Sequence, residues 1–382
     1  MRQFGFPAML AAIAALGAVL YAPGVKAVQF AVGDNNENYR DTVDRHTLVD
    51  ILDPFLITSS GGANTYYTPM QSAVWAVMVR AFGQRQAPYG VLARLIHLAC
   101  ALLTAALARE IFSSDRAGFA AGVLFVSFVP PFFTVTYVSA MFTHGIGLVC
   151  YLAGLLAFVR FLQNGRKLAY ATALLFFLVA HVSKEMAWSM LLAMAILDYG
   201  LYLPPERKRL TLANLAAFAN KYWPFAFVLL AAIAVFVAKY PYGEIAHAWG
   251  GASASINILF RFFDLLTLLL WPTEMPVWAK LLLVDASVIL LAAGAAYGSA
   301  PLRALLLWLI AALLPFCFAN FRPITEVLRY LYLPSAVFAM AAVALARQVG
   351  AQGARQREAA TAAFGAVVSI HFLATLITSW RA

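Results

Sequence analysis

The stretch Ala254–Trp271, ASINILFRFFDLLTLLLW, decides the fold. It is apolar enough to enter a membrane, yet it carries Arg261 and Asp264 in its middle, and an ionised side chain at the bilayer centre costs at least about 2.5 kcal/mol. If it crosses, every loop downstream changes side. The neighbouring charges choose between the two topologies. Without a crossing here, the basic clusters Arg2; Arg109 and Arg116; Arg160, Arg166 and Lys167; Arg207, Lys208, Arg209 and Lys221; Arg303; and Arg347, Arg355 and Arg357 share one face. With a crossing, the last two clusters move outward, against the positive-inside tendency. The segment 255–271 therefore reads as an interfacial or re-entrant helix on the outer side, within an outer loop at 240–278.

Composition supports a membrane chain. Of 382 residues, 63% are hydrophobic and only 12% charged, against about a quarter charged in soluble domains, and mean hydropathy is +0.80. Apolar segments at 5–24, 91–110, 118–136, 144–163, 168–183, 186–203, 222–239, 279–297, 302–319, 329–346 and 360–380 predict an all-α polytopic bundle of about 11 transmembrane helices. They leave no room for a soluble domain, so residues 1–382 read as one membrane domain. The first segment, FPAMLAAIAALGAVLYAPG, is longer than a usual signal core and reads as an uncleaved helix. The small-residue site Val25-Lys26-Ala27 keeps a cleaved signal peptide as the alternative. Cys100, Cys150 and Cys317 lie within predicted spans and have no pairing or metal spacing. The net charge of +10 is explained by topology, and nucleic acid is not an expected partner because the basic residues sit in short loops.

This topology also sorts the acids. Glu110, Asp115, Glu206 and Glu358 fall inside, Asp198 lies near the inner end of a span, and the rest of the 17 acidic residues fall outside. Half of those outside precede residue 54, in a large outer loop at 25–90 that contains AVGDNNENYRDTVDRHTLVD (31–50) and a short aromatic helix near 66–83. The predicted orientation has the N-terminus cytoplasmic and the acidic loops facing a periplasm, as in a bacterial inner membrane.

The acidic loop after the first helix, the Tyr66-Tyr67-Thr68-Pro69-Met70 helix start, the span beginning ARLIHLACALLTAALAREIF, the segment VSKEMAWSMLLAMAILDY (182–199) and LRYLYLPSAVFAM (328–340) together resemble the GT-C superfamily of integral membrane glycosyltransferases. The likeness in sequence is greatest to TMTC-type protein O-mannosyltransferases without a tetratricopeptide domain, with aminoarabinose transferases and oligosaccharyltransferases more distant. The resemblance covers nearly the whole chain in order.

It implies transfer of a sugar from a polyprenyl-phosphate donor to a protein, lipid or glycan acceptor at the outer face. Asp34 matches the first-loop acid, which acts as base toward the acceptor or binds a divalent metal, Mg or Mn. Arg329, with Tyr332 and Lys184, is the expected hold on the donor phosphate, since guanidinium groups grip phosphate bidentately. Lys184 and Glu185 interrupt an apolar run, and mutual pairing and donor contact both remain open for them. Two positions depart from the family pattern. Asn35 stands where a second acid is frequent, and Thr134 and Thr143-His144 stand where the second outer loop usually carries one. His144 is then a replacement ligand or hydrogen-bond donor, beside Asp34 and Glu185 as possible metal ligands. These departures keep open a second function, that of a non-catalytic GT-C-fold subunit in a complex with other membrane proteins. A secondary transporter fits less well, because polar groups gather at one face and no internal repeat is visible. Asp198 is expected to pair with the Arg207–Arg209 cluster.

Overall fold

The computed structural model describes residues 5–22, 33–43, 47–52, 55, 68–209, 211–239, 255–271, 276–318 and 328–381. Among these residues the secondary structure is helical throughout. In chain order the helices are α1 (Phe6–Tyr21), α2 (Gly33–Val43), α3 (Leu48–Leu52), α4 (Pro69–Phe82), α5 (Gln86–Phe112), α6 (Asp115–Ser127) and α7 (Val129–Thr136). They continue with α8 (Val138–Asn164), α9 (Lys167–His181), α10 (Ser189–Leu197), α11 (Leu212–Lys239), α12 (Ser255–Leu270), α13 (Val277–Tyr297), α14 (Ala300–Leu313), α15 (Tyr332–Gly350) and α16 (Ala354–Arg381).

Every segment read as a span overlaps a helix, but among the described residues 7 helices, or 8 spans if α6 and α7 count as one, are long and apolar enough to cross a membrane, fewer than the about 11 expected. The others depart from a straight span for identifiable reasons. Helices α1 and α9 are 16 and 15 residues long. Helices α6 and α7 meet at a bend of 52°, where Pro130 and Pro131 cannot continue the hydrogen-bond ladder and Phe128 is extended. Residues 185–202 run as a 3-10 turn, α10 and a π turn in succession.

Helix α12, the segment on which the topology turned, is 16 residues long. At 1.5 Å per residue it spans about 24 Å, short of the ~30 Å hydrocarbon core. It buries Leu265, Leu266 and Leu269 and keeps Arg261 and Asp264 half-buried. Lys280 on α13 reaches Asp264 at 2.7 Å. That pair is exposed, so it orients α12 against α13 more than it stabilises it.

Helix α5 forms the centre, with α1, α6 and α8 against it. Close approach is set by small residues, the usual device where lipid removes the hydrophobic drive between helices. Ala101, Ala105 and Ala108 of α5 are fully buried. A Cβ on Gly118 would stand 2.6 Å from the Ala105 carbonyl oxygen, and one on Gly122 would stand 2.9 Å from the Ala105 Cβ. Two polar links cross the bundle. Trp308 of α14 donates to the Tyr151 hydroxyl of α8 at 3.0 Å, and that hydroxyl meets Ser189 Oγ of α10 at 3.2 Å. Arg94 on α5, 9% exposed, donates to the Tyr21 carbonyl at 2.7 Å, so a cation caps the C-terminus of α1. Helices α11, α13 and α16 are mostly exposed and form the rim.

At the end assigned to the inside, Arg109 pairs with Asp115 at 2.6 Å and Arg160 with Glu110 at 3.4 Å. Asp198 corrects one expectation. It bonds Lys221 Nζ at 2.7 Å and the Tyr222 hydroxyl at 2.9 Å, both on α11, in place of the Arg207–Arg209 cluster. Its carboxylate is buried against α11, and residues 205–208 form an exposed turn beyond its reach.

Candidate functional site at the outer end of the bundle

Four chain segments meet at the opposite end. Helix α2 is tied down by amides and hydroxyls. Asn35 Oδ1 accepts from the Ser139 backbone N–H at 3.0 Å, and Asn38 Nδ2 donates to Ser139 Oγ at 2.8 Å. Gln71 on α4 donates to the same Oγ at 2.7 Å and accepts from the Thr68 hydroxyl at 2.9 Å. All of these side chains are buried. Helix α2 is therefore anchored to the start of α8, through groups that carry no charge.

Residues 141–145 form a π turn at the start of α8. The extra residue per turn shifts His144 out of the ordinary helical register, as π turns often do near functional sites. His144 is 3% exposed, its ring meets Tyr330 edge-on at 5.1 Å, and its Nδ1 has no hydrogen-bond partner. It stands within electrostatic range of both Lys184 and Arg329.

The break between α9 and α10 supplies Lys184 and Glu185. Lys184 is extended, at φ −162° and ψ 144°, and precedes the 3-10 turn 185–188. That break lets the neighbouring side chains meet, which a continuous helix forbids because successive residues point about 100° apart. Their Nζ and Oε1 lie 3.0 Å apart, with the lysine side chain 8% exposed. The pairing reading of the sequence is present in the structure. Beside Glu185 a groove of 240 Å³ runs between α9 and α11, lined by Leu178, Val182, Trp188, Phe227 and Val235.

Arg329 enters from the residues before α15. Its guanidinium carbon lies 5.8 Å from the Tyr137 ring centroid and 5.2 Å from that of Tyr330, and it donates to the Tyr330 hydroxyl at 3.4 Å. Two aromatic faces thus hold the cation at the bundle mouth.

The structure brings together Arg329, Lys184, Glu185 and His144 from three helix ends. Asp34 lies in α2 next to Asn35, at the same end, and its side chain is outside the described residues. Tyr332 departs from the sequence expectation. It is fully buried, with its hydroxyl 2.8 Å from His97 Nδ1 and its ring against Phe125. Tyr330 and Tyr332 are two residues apart, so a helix turns them about 200° from one another, and Tyr330 takes the mouth. Thr134 is buried in α7, and the Thr143 hydroxyl bonds back to the Ser139 carbonyl at 2.9 Å. Tyr137 and the Asn38–Gln71–Ser139 network carried no sequence signal beyond polarity.

Among the described residues no three His, Cys, Asp or Glu side chains gather as metal ligands. The charge around His144 is cationic, and Glu185 is engaged by Lys184. This part of the site suits an anion. The carboxylates Glu37, Asp41 and Asp50 lie in α2 and α3 with side chains outside the description.

No family model matches the sequence, and no curated protein matches it. Solved structures do match in fold. ArnT from Cupriavidus metallidurans bound to undecaprenyl phosphate aligns with a TM-score of 0.55 and 15% identity, over 91% of this chain and 61% of that one. The Archaeoglobus fulgidus oligosaccharyltransferase in its apo form aligns with a TM-score of 0.54 and 16% identity, over 99% of this chain and 56% of that one. The chain shares the membrane fold of these two structures and spans about three fifths of their length.

Proposed function

We propose that this integral membrane protein transfers a sugar from a polyprenyl-phosphate donor to an acceptor at the outer face of the membrane. The observation that carries the reading is the convergence of Arg329, Lys184 and His144 on one buried spot at the end to which helix α2 is anchored. The Arg329 guanidinium beside buried His144, with Lys184 next to it though paired to Glu185, favours a phosphate. The fold neighbour crystallised with undecaprenyl phosphate supports a lipid phosphate in particular.

In this scheme the isoprenoid tail lies along the apolar groove between α9 and α11, which opens at Glu185. The acceptor hydroxyl attacks the anomeric carbon and the bond from that carbon to the phosphate oxygen breaks. Arg329 and Lys184 offset the charge that develops on the leaving polyprenyl phosphate, and His144 donates a hydrogen bond to it. The acceptor proton passes to Asp34, which sits next to the Asn35 anchor in α2. A divalent metal, if used, would draw on the first-loop acids and polarise the same phosphate.

A second reading, a GT-C-fold subunit without catalysis, is favoured by one observation. Asn35 and Thr143, which stand where acids are expected, spend their polar groups on internal hydrogen bonds to Ser139. Purification in mild detergent followed by mass spectrometry of bound lipid and protein separates the two. A polyprenyl-phosphate sugar that co-purifies with the chain and is lost in Arg329→Ala supports transfer. A stoichiometric set of partner proteins with no such lipid overturns it.

A further inference from the structure

At the opposite end of the bundle, three arginines surround a groove that the outer-face chemistry does not use. Ser114, Arg116, Arg347, Arg357 and Thr361 rim a hollow of 490 Å³ between α6, α15 and α16. Arg347 rests on the Phe112 ring, 5.4 Å from its centroid, and Arg357 donates to the Gly350 carbonyl at 3.4 Å. Several cations assigned to this end have acid partners. Arg109 is paired with Asp115, Arg160 with Glu110 and Lys221 with Asp198. Among the described residues, Arg116, Arg347 and Arg357 have no carboxylate within 4 Å, although Glu358 is next to Arg357 in sequence.

The hollow continues into an apolar one. Ala346, Ala360 and Phe364 line both it and a second groove of 480 Å³, walled by leucines of α12 to α14 and by α15 and α16. A cationic, hydroxyl-bearing mouth that opens into a channel lined, apart from Ser287, by apolar side chains matches an amphiphile with an anionic head. It does not match a free ion, which has no use for the channel, or a neutral lipid, which has no use for the arginines. The charge pattern puts this mouth at the cytoplasmic leaflet, where anionic lipids attract basic side chains.

We propose that this cleft is a binding site for an anionic diacyl phospholipid of the inner leaflet. The phosphate sits among Arg116, Arg347 and Arg357, and one acyl chain lies in the channel between α12, α14, α15 and α16. The occupied cleft wedges α16, which is otherwise largely exposed, against α6 and α15. The site is independent of the transfer reaction proposed above.

The test uses the full chain in detergent, titrated with phosphatidylglycerol, phosphatidylcholine of the same acyl chains, undecaprenyl phosphate and inorganic phosphate, and read by native mass spectrometry and melting temperature. Phosphatidylglycerol is expected to bind more tightly than phosphatidylcholine and to raise the melting temperature. Substituting all three arginines (R116Q, R347Q and R357Q together) is expected to weaken phosphatidylglycerol binding on the order of a hundredfold, at about a factor of five per arginine. R347Q alone carries the same test at about fivefold if the triple variant fails to fold. Ala346→Phe, which narrows the junction of the two hollows without touching charge, is expected to weaken both phospholipids. Equal binding of the two phospholipids, indifference to the arginine substitutions, or competition by inorganic phosphate alone would each overturn the proposal. So would preferential capture of undecaprenyl phosphate that the arginine variants lose, which would make this a second polyprenyl-phosphate site.

Discussion

Asn35 Oδ1 accepts the backbone N–H of Ser139 at 3.0 Å, and with the Asn38–Ser139 bond it joins α2 to the start of α8 five residues before His144. An asparagine at this position is thus a structural tie. Asn35→Ala leaves a buried N–H without its acceptor, which costs about 1–3 kcal/mol. Asn35→Asp keeps an acceptor oxygen in place. The alanine variant is expected to melt earlier and to be cut faster in the 25–68 region by a protease added from outside, with the aspartate variant close to wild type. Equal proteolysis of all three would show that the tie does not hold the loop.

Tyr332 sits in the core, so its removal is predicted to act on stability and leave ligand binding alone. Tyr332→Phe strips the buried His97 ring of the hydroxyl 2.8 Å from its Nδ1. The loss is about 1–3 kcal/mol, seen as a lower melting temperature with unchanged retention of lipid. Tyr330→Phe is expected to show the reverse pattern, since its hydroxyl contacts Arg329 at the mouth. A Tyr332→Phe variant of normal stability that loses bound lipid would return Tyr332 to the site.

The crossing of α5 and α6 is predicted to be intolerant of added volume. Gly122→Ala puts a methyl group 2.9 Å from the Ala105 Cβ and 3.3 Å from the Ala101 carbonyl oxygen. Because both neighbours are short and rigid, the helices must separate, at a cost of about 1–3 kcal/mol. Gly365→Ala on the rim helix α16, where nothing lies within 4 Å of the new atom, is the control and is expected to be neutral or slightly stabilising. Comparable melting temperatures for the two variants would contradict the close packing.

The residues that could be read from sequence are those whose charge breaks an apolar background. Lys184 and Glu185 stand out for that reason, while Arg329 is legible only through the resemblance of its segment LRYLYLPSAVFAM. What stayed hidden depends on geometry that periodicity does not encode. The π turn at 141–145 resets the facing of His144 by one residue, while a 3.6-residue pattern looks the same with or without it. Asn38, Gln71 and Ser139 are uncharged polar residues far apart in the chain, and they resemble any loop residues until the fold brings them within 3.3 Å. That Tyr330 and not Tyr332 faces the mouth depends on where α15 begins, which the sequence does not show.

The roles assigned to Arg329 and Asp34 predict different kinetic signatures. Arg329 is proposed to touch donor phosphate both before and during bond breaking, so Arg329→Ala is expected to raise the KM for donor and lower kcat, with kcat/KM down by about 100-fold to 1000-fold. Arg329→Lys keeps the charge and loses the bidentate fork, so a smaller deficit is expected. Asp34 is proposed to take the acceptor proton, an interaction made only as the reaction proceeds. Asp34→Asn is therefore expected to lower kcat by about 100-fold to 10,000-fold with donor affinity unchanged. Because Asn35 and Asn38 tether α2 independently of Asp34, the D34N protein is also expected to melt at the wild-type temperature. Normal turnover by D34N would remove it as the base, and weakened donor binding in D34N with normal kcat would assign the carboxylate to holding the donor.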